Sequence, residues 1–154
     1  MVNQGFFLLR IAYKAFPLSA LHPAFPSENT IWRPTLNVVI SHGNVQSQRI
    51  EALVDSGADR CLFDASIGEA LGIEVRKGIE MPIGGVIGGS IGRIYYHNVR
   101  LSVVGELIEI TAGFSYELSF QALLGRNGFF DNFIVTFDHT THPPSFETHR
   151  IHPT

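Results

Sequence analysis

The chain has 154 residues, of which 45% are hydrophobic and 16% are charged. This balance supports one buried core and excludes a wholly disordered polymer. Eleven Lys and Arg against fourteen Asp and Glu give a formal net charge of -3, and the absence of a basic stripe argues against nucleic acid as a partner. The single cysteine, Cys61, excludes an internal disulfide and a multi-thiolate metal cage and predicts a reducing, cytoplasmic location.

Residues 1–30 are predicted to form an extension that packs on the core as a strand or loop. Their apolar stretch, 6–16, is interrupted by Arg10 and Lys14 and followed by prolines, so positive charge comes too late for a secretory signal. No window of roughly 20 continuous apolar residues occurs, and we therefore expect no stable membrane insertion.

From Ile31 onward the pattern predicts a mainly β core. Apolar runs at 36–40 and 50–54, separated by turn residues, predict a hairpin. Asp64 precedes the run 65–71 and Gly72 follows it, which is typical of a capped two-turn helix with a glycine stop. A second short helix is predicted near residues 128–132.

The next predicted element is a mobile hairpin. Residues 81–92 contain five glycines in twelve positions, between strand-like runs at 79–80 and 93–96. Three further strands are predicted at 99–103, 108–110 and 134–137. Residues 139–154 are rich in proline, threonine and histidine, which predicts a tail that is solvated or forms an edge strand.

The stretch 52–59, Ala-Leu-Val-Asp-Ser-Gly-Ala-Asp, runs from an apolar strand directly into polar residues. A carboxylate at the end of such a strand, here Asp55, is expected to be held rigidly in a partly dry site. Gly57 lets the backbone turn closely enough for amide groups to face that carboxylate, and Ser56 can donate to a neighbouring carbonyl. Because Asp-Ser-Gly alone is also an ordinary turn, its meaning depends on the rest of the chain.

Four segments in order resemble the retropepsins, the retroviral-type aspartic proteases. They are Arg33-Pro34, the stretch 52–59, the glycine-rich segment 81–92, and Ala-Leu-Leu-Gly-Arg at 122–126. The resemblance implies a mainly β, closed or partly open acid-protease barrel with a glycine-rich flap hairpin and one or two short helices. It covers a protease domain at 31–138, between the extension 1–30 and the C-terminal tail 139–154.

The resemblance also implies an aspartic endopeptidase that hydrolyses a peptide or protein substrate without metal or cofactor. Such hydrolysis needs two carboxylates that share one proton, yet the chain has one Asp-Ser-Gly. A twofold homodimer would bring Asp55 of each subunit together. Activity is then expected to favour mildly acidic pH, because two close carboxylates cannot easily both be charged. The prolines before Ile31 motivate a further hypothesis of self-processing within residues 1–30.

Specific site residues follow from the same resemblance. The resemblance implies that Asp55, Ser56 and Gly57 are the catalytic residues, with Asp55 as the acid. It also implies that Asp59 pairs with Arg126 of its own subunit and Arg33 of the other. Substrate-contacting residues are expected to be Ala58, Asp59, Gly84, Gly85, Val86, Ile87, Gly88 and Gly89, and supporting residues Arg33, Asp59 and Arg126.

Other chemistries are weaker interpretations of the same chain. Gly-x-Ser-x-Gly at 88–92 matches a nucleophile elbow around Ser90, but an elbow lies between a strand and a helix, and the following residues favour a strand. The His-x-x-His spacings in the tail lack a rigid frame for a metal, and Cys61 is expected to be packed rather than nucleophilic. One alternative keeps the fold without catalysis: a dimer that binds peptides or assembles complexes.

Overall fold

The computed structural model describes residues 9–83 and 92–151. The chain divides into two compact units, residues 1–35 with 133–154, and residues 36–132. No helix within the described ranges has the length and apolar character needed to cross a membrane. The strands are β1 Leu9–Ala12, β2 Lys14–Pro17, β3 Thr30–Arg33, β4 Thr35–His42, β5 Val45–Gln46, β6 Ile50–Val54, β7 Leu62–Asp64, β8 Ile79–Ile83, β9 Gly92–Val103, β10 Glu106–Ser115, β11 Ala122–Leu124, β12 Phe133–Asp138 and β13 Ser145–Arg150; the helices are α1 Ala65–Ala70 and a 3₁₀ turn Val75–Lys77.

The first unit contains a three-stranded antiparallel sheet in the order β1-β13-β12 and a separate two-stranded sheet of β2 and β3. Strand β13 lies at the centre of its sheet, with Phe146 and Thr148 buried. The tail was expected to be solvated or to form an edge strand, and the structure instead places its strand between two neighbours. Phe146 and Thr148 are buried while Glu147 and His149, between and after them, are less so, which suits a strand with one face on a core.

The second unit is built around a closed barrel of six strands. Their order is β4, β6, β11, β7, β10 and β9, and β9 pairs back with β4 to close the ring. Strands β5 and β8 extend the sheet beyond the ring. The interior is filled by large buried side chains, namely Ile40, Phe63, Leu101, Phe114, Leu124 and Phe129. The expectation of a mainly β, closed barrel with few helices is confirmed.

Helix α1 begins and ends where local signals predict. The Asp64 carboxylate accepts a hydrogen bond from the Ser66 amide at 2.9 Å, as an N-cap residue does. Gly72, just beyond the helix, has φ of +80°, a left-handed conformation that glycine adopts without a Cβ penalty.

The predicted second helix at 128–132 is wrong, because these residues form successive turns. Gly128 has φ of +109°, which is outside the helical region. The Phe130 amide donates to the Gly125 carbonyl at 3.2 Å and the Asp131 amide to the Arg126 carbonyl at 3.0 Å, so each bonds five residues back rather than the four of an α-helix. The Asn132 amide instead bonds the Phe129 carbonyl at 2.9 Å.

The stem of the predicted glycine-rich hairpin is present. Strands β8 and β9 pair antiparallel from Ile79 opposite Tyr96 to Ile83 opposite Gly92. Across this stem Glu80 forms an ion pair with Arg93. The glycine-rich segment expected at its tip, residues 84–91, lies outside the described residues.

Strands β9 and β10 are joined by a two-residue turn in which Val104 has φ of +45° and Gly105 has φ of +78°. A β-branched residue is strained there, whereas asparagine tolerates the left-handed region. Val104→Asn is therefore expected to raise the free energy of unfolding by about 1 kcal/mol, measured by urea denaturation. Val104→Thr keeps the branched Cβ and should give no gain; equal stabilisation by both variants would contradict the backbone explanation.

Candidate active site

The backbone of Asp55 is held by the short strand β11. Strand β6 ends at Val54, which lies opposite Leu124 in the parallel β6–β11 pair. The Asp55 amide continues this ladder by donating to the Leu124 carbonyl at 3.0 Å. These main-chain contacts fix the end of the strand from which the Asp55 side chain projects. The residue is half-buried, so its carboxylate remains accessible to solvent.

The loop after Asp55 turns around the carboxylate. Oδ1 of Asp55 accepts a hydrogen bond from the Gly57 amide at 2.9 Å, and the Ala58 amide donates to the Asp55 carbonyl at 3.2 Å. A Cβ at position 57 would lie 3.1 Å from the same Oδ1, so a side chain there would crowd the carboxylate. Ser56, between them, is exposed. The Asp-Ser-Gly sequence thus forms a closed turn that presents one carboxylate.

A second backbone segment supports the far side of this loop. The Arg126 amide donates to the Ala58 carbonyl at 2.8 Å, and the Asn127 amide donates to the Asp59 carbonyl at 3.0 Å. At Gly125 the two segments approach so closely that a Cβ would overlap the Arg60 carbonyl. Hydrogen bonds between main-chain groups therefore fix the loop, and glycine is needed where the segments meet.

Asp59 and Arg126 form an ion pair within one chain. Their side chains are 73% and 60% exposed respectively, and exposed pairs contribute about 0–1 kcal/mol. The pair therefore orients two side chains beside the loop more than it stabilises the fold.

The remaining residues predicted for the site are Arg33 and the flap residues. Arg33 belongs to the first unit, where its guanidinium lies 5.8 Å from the Phe16 ring centroid. Its pairing with Asp59 of a second subunit stays a prediction. The six flap residues expected to contact substrate, Gly84, Gly85, Val86, Ile87, Gly88 and Gly89, lie outside the described residues, as does Ser90. The chain beyond Ser90 forms strand β9, whereas a nucleophile elbow would lead into a helix.

Cys61 packs beneath the loop. Its thiol is fully buried and donates to the carbonyls of Gly125 and Asn127, with Sγ–O distances of 4.0 and 3.6 Å. Burial raises the pKa of the Cys61 thiol to about 11, with a further contribution from the charge of Asp131 and partial opposition from the Gly125 hydrogen bond. Such a thiol is protonated at neutral pH and is a packing group.

Two histidines of the tail have neighbours in the structure. His139 Nε2 lies 2.8 Å from the Tyr13 hydroxyl, and His149 lies on β13 opposite Ile134. Among residues 9–83 and 92–151, no group of three or more His, Cys, Asp and Glu is arranged to hold a metal ion.

The sequence did not indicate a cavity of about 400 Å³ beside the loop. Its lining residues come from distant parts of the chain, so no local sequence pattern predicts the cavity. Only Arg60 could have been connected with the site from the sequence, because it directly follows Asp59 in the loop. The residues that line the cavity are Arg60, Ile79, Met81, Tyr96, Thr111 and Asn127.

Comparison with solved structures places this architecture among the retropepsin-like folds. A retropepsin-like aspartic protease from Rickettsia conorii matches 97% of this chain and 98% of its own, with a TM-score of 0.57 and 13% sequence identity. EIAV protease complexed with the inhibitor HBY-793 matches 61% of this chain and 82% of its own, with a TM-score of 0.46 and 24% identity. No protein-family model matches the chain, and a search of curated proteins found no match. The chain therefore has the retropepsin-like fold.

Gly125→Ala is expected to lower the free energy of unfolding by about 2 kcal/mol, because the added methyl group meets main-chain atoms that cannot move aside. Thermal or urea denaturation measures the change. Gly92→Ala is the matched control, since its methyl group would meet the side chains of Ile83 and Glu117. Equal losses in the two variants would contradict a special close approach at Gly125.

Alkylation of Cys61 by iodoacetamide is expected to be at least a hundredfold slower in the native protein than in denaturant at pH 8. A pKa of about 11 leaves about one thiol in a thousand ionised, whereas the ordinary value of 9.0 leaves about one in ten. Because the pKa is raised, the native rate should increase about tenfold per pH unit between pH 7 and 10. A native rate within threefold of the denatured rate would contradict this prediction.

Proposed function

We propose that the chain is one half of an aspartic endopeptidase, active as a homodimer in which two Asp55 carboxylates activate a water molecule. The observation that carries the proposal is the Asp55 loop, which continues from the paired ends of β6 and β11 and presents a single accessible carboxylate. The retropepsin-like fold supports it, since the Rickettsia conorii structure is that of an aspartic protease. In this chain Asp-Ser-Gly directly follows the end of strand β6.

One chain supplies only half of the necessary acid–base pair. In the proposed reaction an ionised Asp55 removes a proton from water, while the protonated Asp55 of the second subunit donates to the oxygen of the scissile carbonyl. Water adds to the carbonyl carbon to form a tetrahedral intermediate. Return of a proton to the amide nitrogen then breaks the carbon–nitrogen bond and releases an amine and a carboxylic acid.

The dimer explains why a single loop is sufficient. A twofold axis places identical surfaces against each other, so one Asp-Ser-Gly encodes both acids. In the proposed reaction the two carboxylates share one proton, and activity is therefore expected to be greatest at mildly acidic pH.

Asp55→Asn is expected to lower kcat/KM on a mixed peptide library by at least a hundredfold between pH 4 and 7, because the amide cannot exchange the required protons. Product formation is measured by mass spectrometry, with dimer content measured by analytical ultracentrifugation. Asp64→Asn is the matched control, since asparagine also caps a helix and the charge change is identical.

Three outcomes are informative in that experiment. Equal cleavage by wild type and Asp55→Asn would remove Asp55 from the mechanism. Peptide binding without cleavage at any pH would favour the catalytically silent binding or assembly module. Activity per chain that is unchanged on dilution to a fully monomeric protein would contradict the shared active site.

A further inference from the structure

A cluster of aromatic and charged side chains lies where the β8–β9 stem joins the barrel. Its members come from four different parts of the chain, namely Glu69 of α1, Arg76 of the 3₁₀ turn, Tyr95 of β9 and Tyr116, which directly follows β10. All four belong to the second unit. None of them is part of the proposed catalytic machinery.

Arg76 contacts both tyrosines of this cluster. Its guanidinium carbon lies 4.3 Å from the ring centroid of Tyr116 and 5.9 Å from that of Tyr95. Nη1 of Arg76 also donates to the Tyr95 hydroxyl at 3.3 Å. The two tyrosine rings meet edge to face, with centroids 6.5 Å apart. Because a guanidinium is attracted to the faces of aromatic rings, Arg76 holds together two rings from different elements.

Tyr116 has a second contact through its hydroxyl, which donates to the Glu69 carboxylate. This hydrogen bond raises the pKa of Tyr116, so the phenol remains a donor at neutral pH. Tyr95 is 5% exposed and Tyr116 is 39% exposed. The cluster therefore joins a buried ring of the barrel wall to a more exposed ring on the connection after β10.

The 3₁₀ turn that carries Arg76 packs directly on β9. His97 Nε2 lies 2.8 Å from the Val75 carbonyl oxygen. A Cβ at Gly78 would overlap the His97 ring and the Tyr96 carbonyl, so the turn approaches the strand as closely as a glycine allows. Arg76 therefore extends from a base that is already fixed on β9.

The two segments that Arg76 joins continue into different parts of the structure. Tyr95 lies where β9 begins to pair with β10 as well as with β8. Segment 116–121 leads into β11, whose Leu124 carbonyl accepts the hydrogen bond from the Asp55 amide. A contact between these segments therefore links the base of the stem to the connection that precedes β11.

We propose that Arg76 is a positioning residue that couples the base of the β8–β9 stem to segment 116–121. The coupling is a property of the folded chain, and its effect on cleavage rests on the proposed function. The stem leads into residues 84–91, part of the segment that the family resemblance assigns to substrate contact. Loss of the coupling is therefore expected to weaken substrate binding more than the chemical step.

Hydrogen–deuterium exchange tests the coupling without requiring activity. Arg76→Met keeps an unbranched side chain and removes its charge. Exchange is expected to become about threefold faster both in the β8–β9 stem and in segment 116–121, because an exposed cation–aromatic contact is a modest one. Exchange in β4 and β6 should stay unchanged, which separates a local effect from general destabilisation.

Lys77→Met is the matched control for this measurement. Lys77 belongs to the same 3₁₀ turn and carries the same charge, but it pairs with Glu74. The variant should leave exchange unchanged in both regions. Equal changes in Arg76→Met and Lys77→Met would show a general effect of removing charge from the turn and would overturn the proposal.

Substitutions of Tyr116 test whether Arg76 acts through the ring. Tyr116→Leu removes the ring and should reproduce the exchange of Arg76→Met, whereas Tyr116→Phe keeps the ring and should retain most of the coupling. Arg76→Lys keeps a cation and should also retain part of it. The double variant Arg76→Met/Tyr116→Leu should exchange no faster than either single variant. Increases that multiply would show independent action and would overturn the coupling.

Cleavage kinetics separate this inference from the proposed function. Arg76→Met is expected to raise KM for a cleaved peptide about threefold, with kcat changed less than twofold. Cleavage with unchanged KM in Arg76→Met would overturn the positioning role and leave the protease intact. Coupled exchange in both regions without peptide cleavage by wild type at any pH would support the coupling and overturn the protease. Faster exchange confined to one of the two regions would overturn the coupling.

Discussion

The candidate site depends on the close approach of two main-chain segments at Gly125. The Asp55 loop is a connection between strands, and such a loop on its own would be free to move. It is fixed because carbonyls of Ala58 and Asp59 accept hydrogen bonds from the segment that follows β11. A side chain at position 125 would separate those partners. The position of the Asp55 carboxylate therefore depends on position 125 being a glycine, which has no Cβ.

Features controlled by neighbouring residues were the ones that the sequence predicted well. Helix α1 could be placed because Asp64 and Gly72 act on residues beside them. The β8–β9 stem could be placed because strand-like runs lie on both sides of a glycine-rich segment. The region 128–132 failed for a reason that composition does not show. There, the amides of Phe130 and Asp131 bond carbonyls five residues back, in the segment that also holds the Asp55 loop, and helix propensity does not include such tertiary constraints.

Features that join distant residues were largely hidden from a single sequence. The pairing of β1 with β13 brings Leu9 opposite Thr148. The residue pattern of neither segment predicts which strand it pairs with. The ion pair of Asp59 with Arg126 was expected through family resemblance, since the spacing between them carries no signal. Arg60, Ile79 and Tyr96 line one cavity, although they are far apart in the sequence and no local pattern predicts that they meet.

Strand β9 changes its number of neighbours along its length. From Tyr95 onward it pairs with β10, and near its end also with β4, whereas residues 92–94 pair with β8 alone. The outer stem is thus a two-stranded ribbon, which twists more readily than a barrel wall. Tyr95 sits at this boundary under the Arg76 guanidinium. Tyr95 is therefore the residue at which the described part of the stem joins the barrel wall.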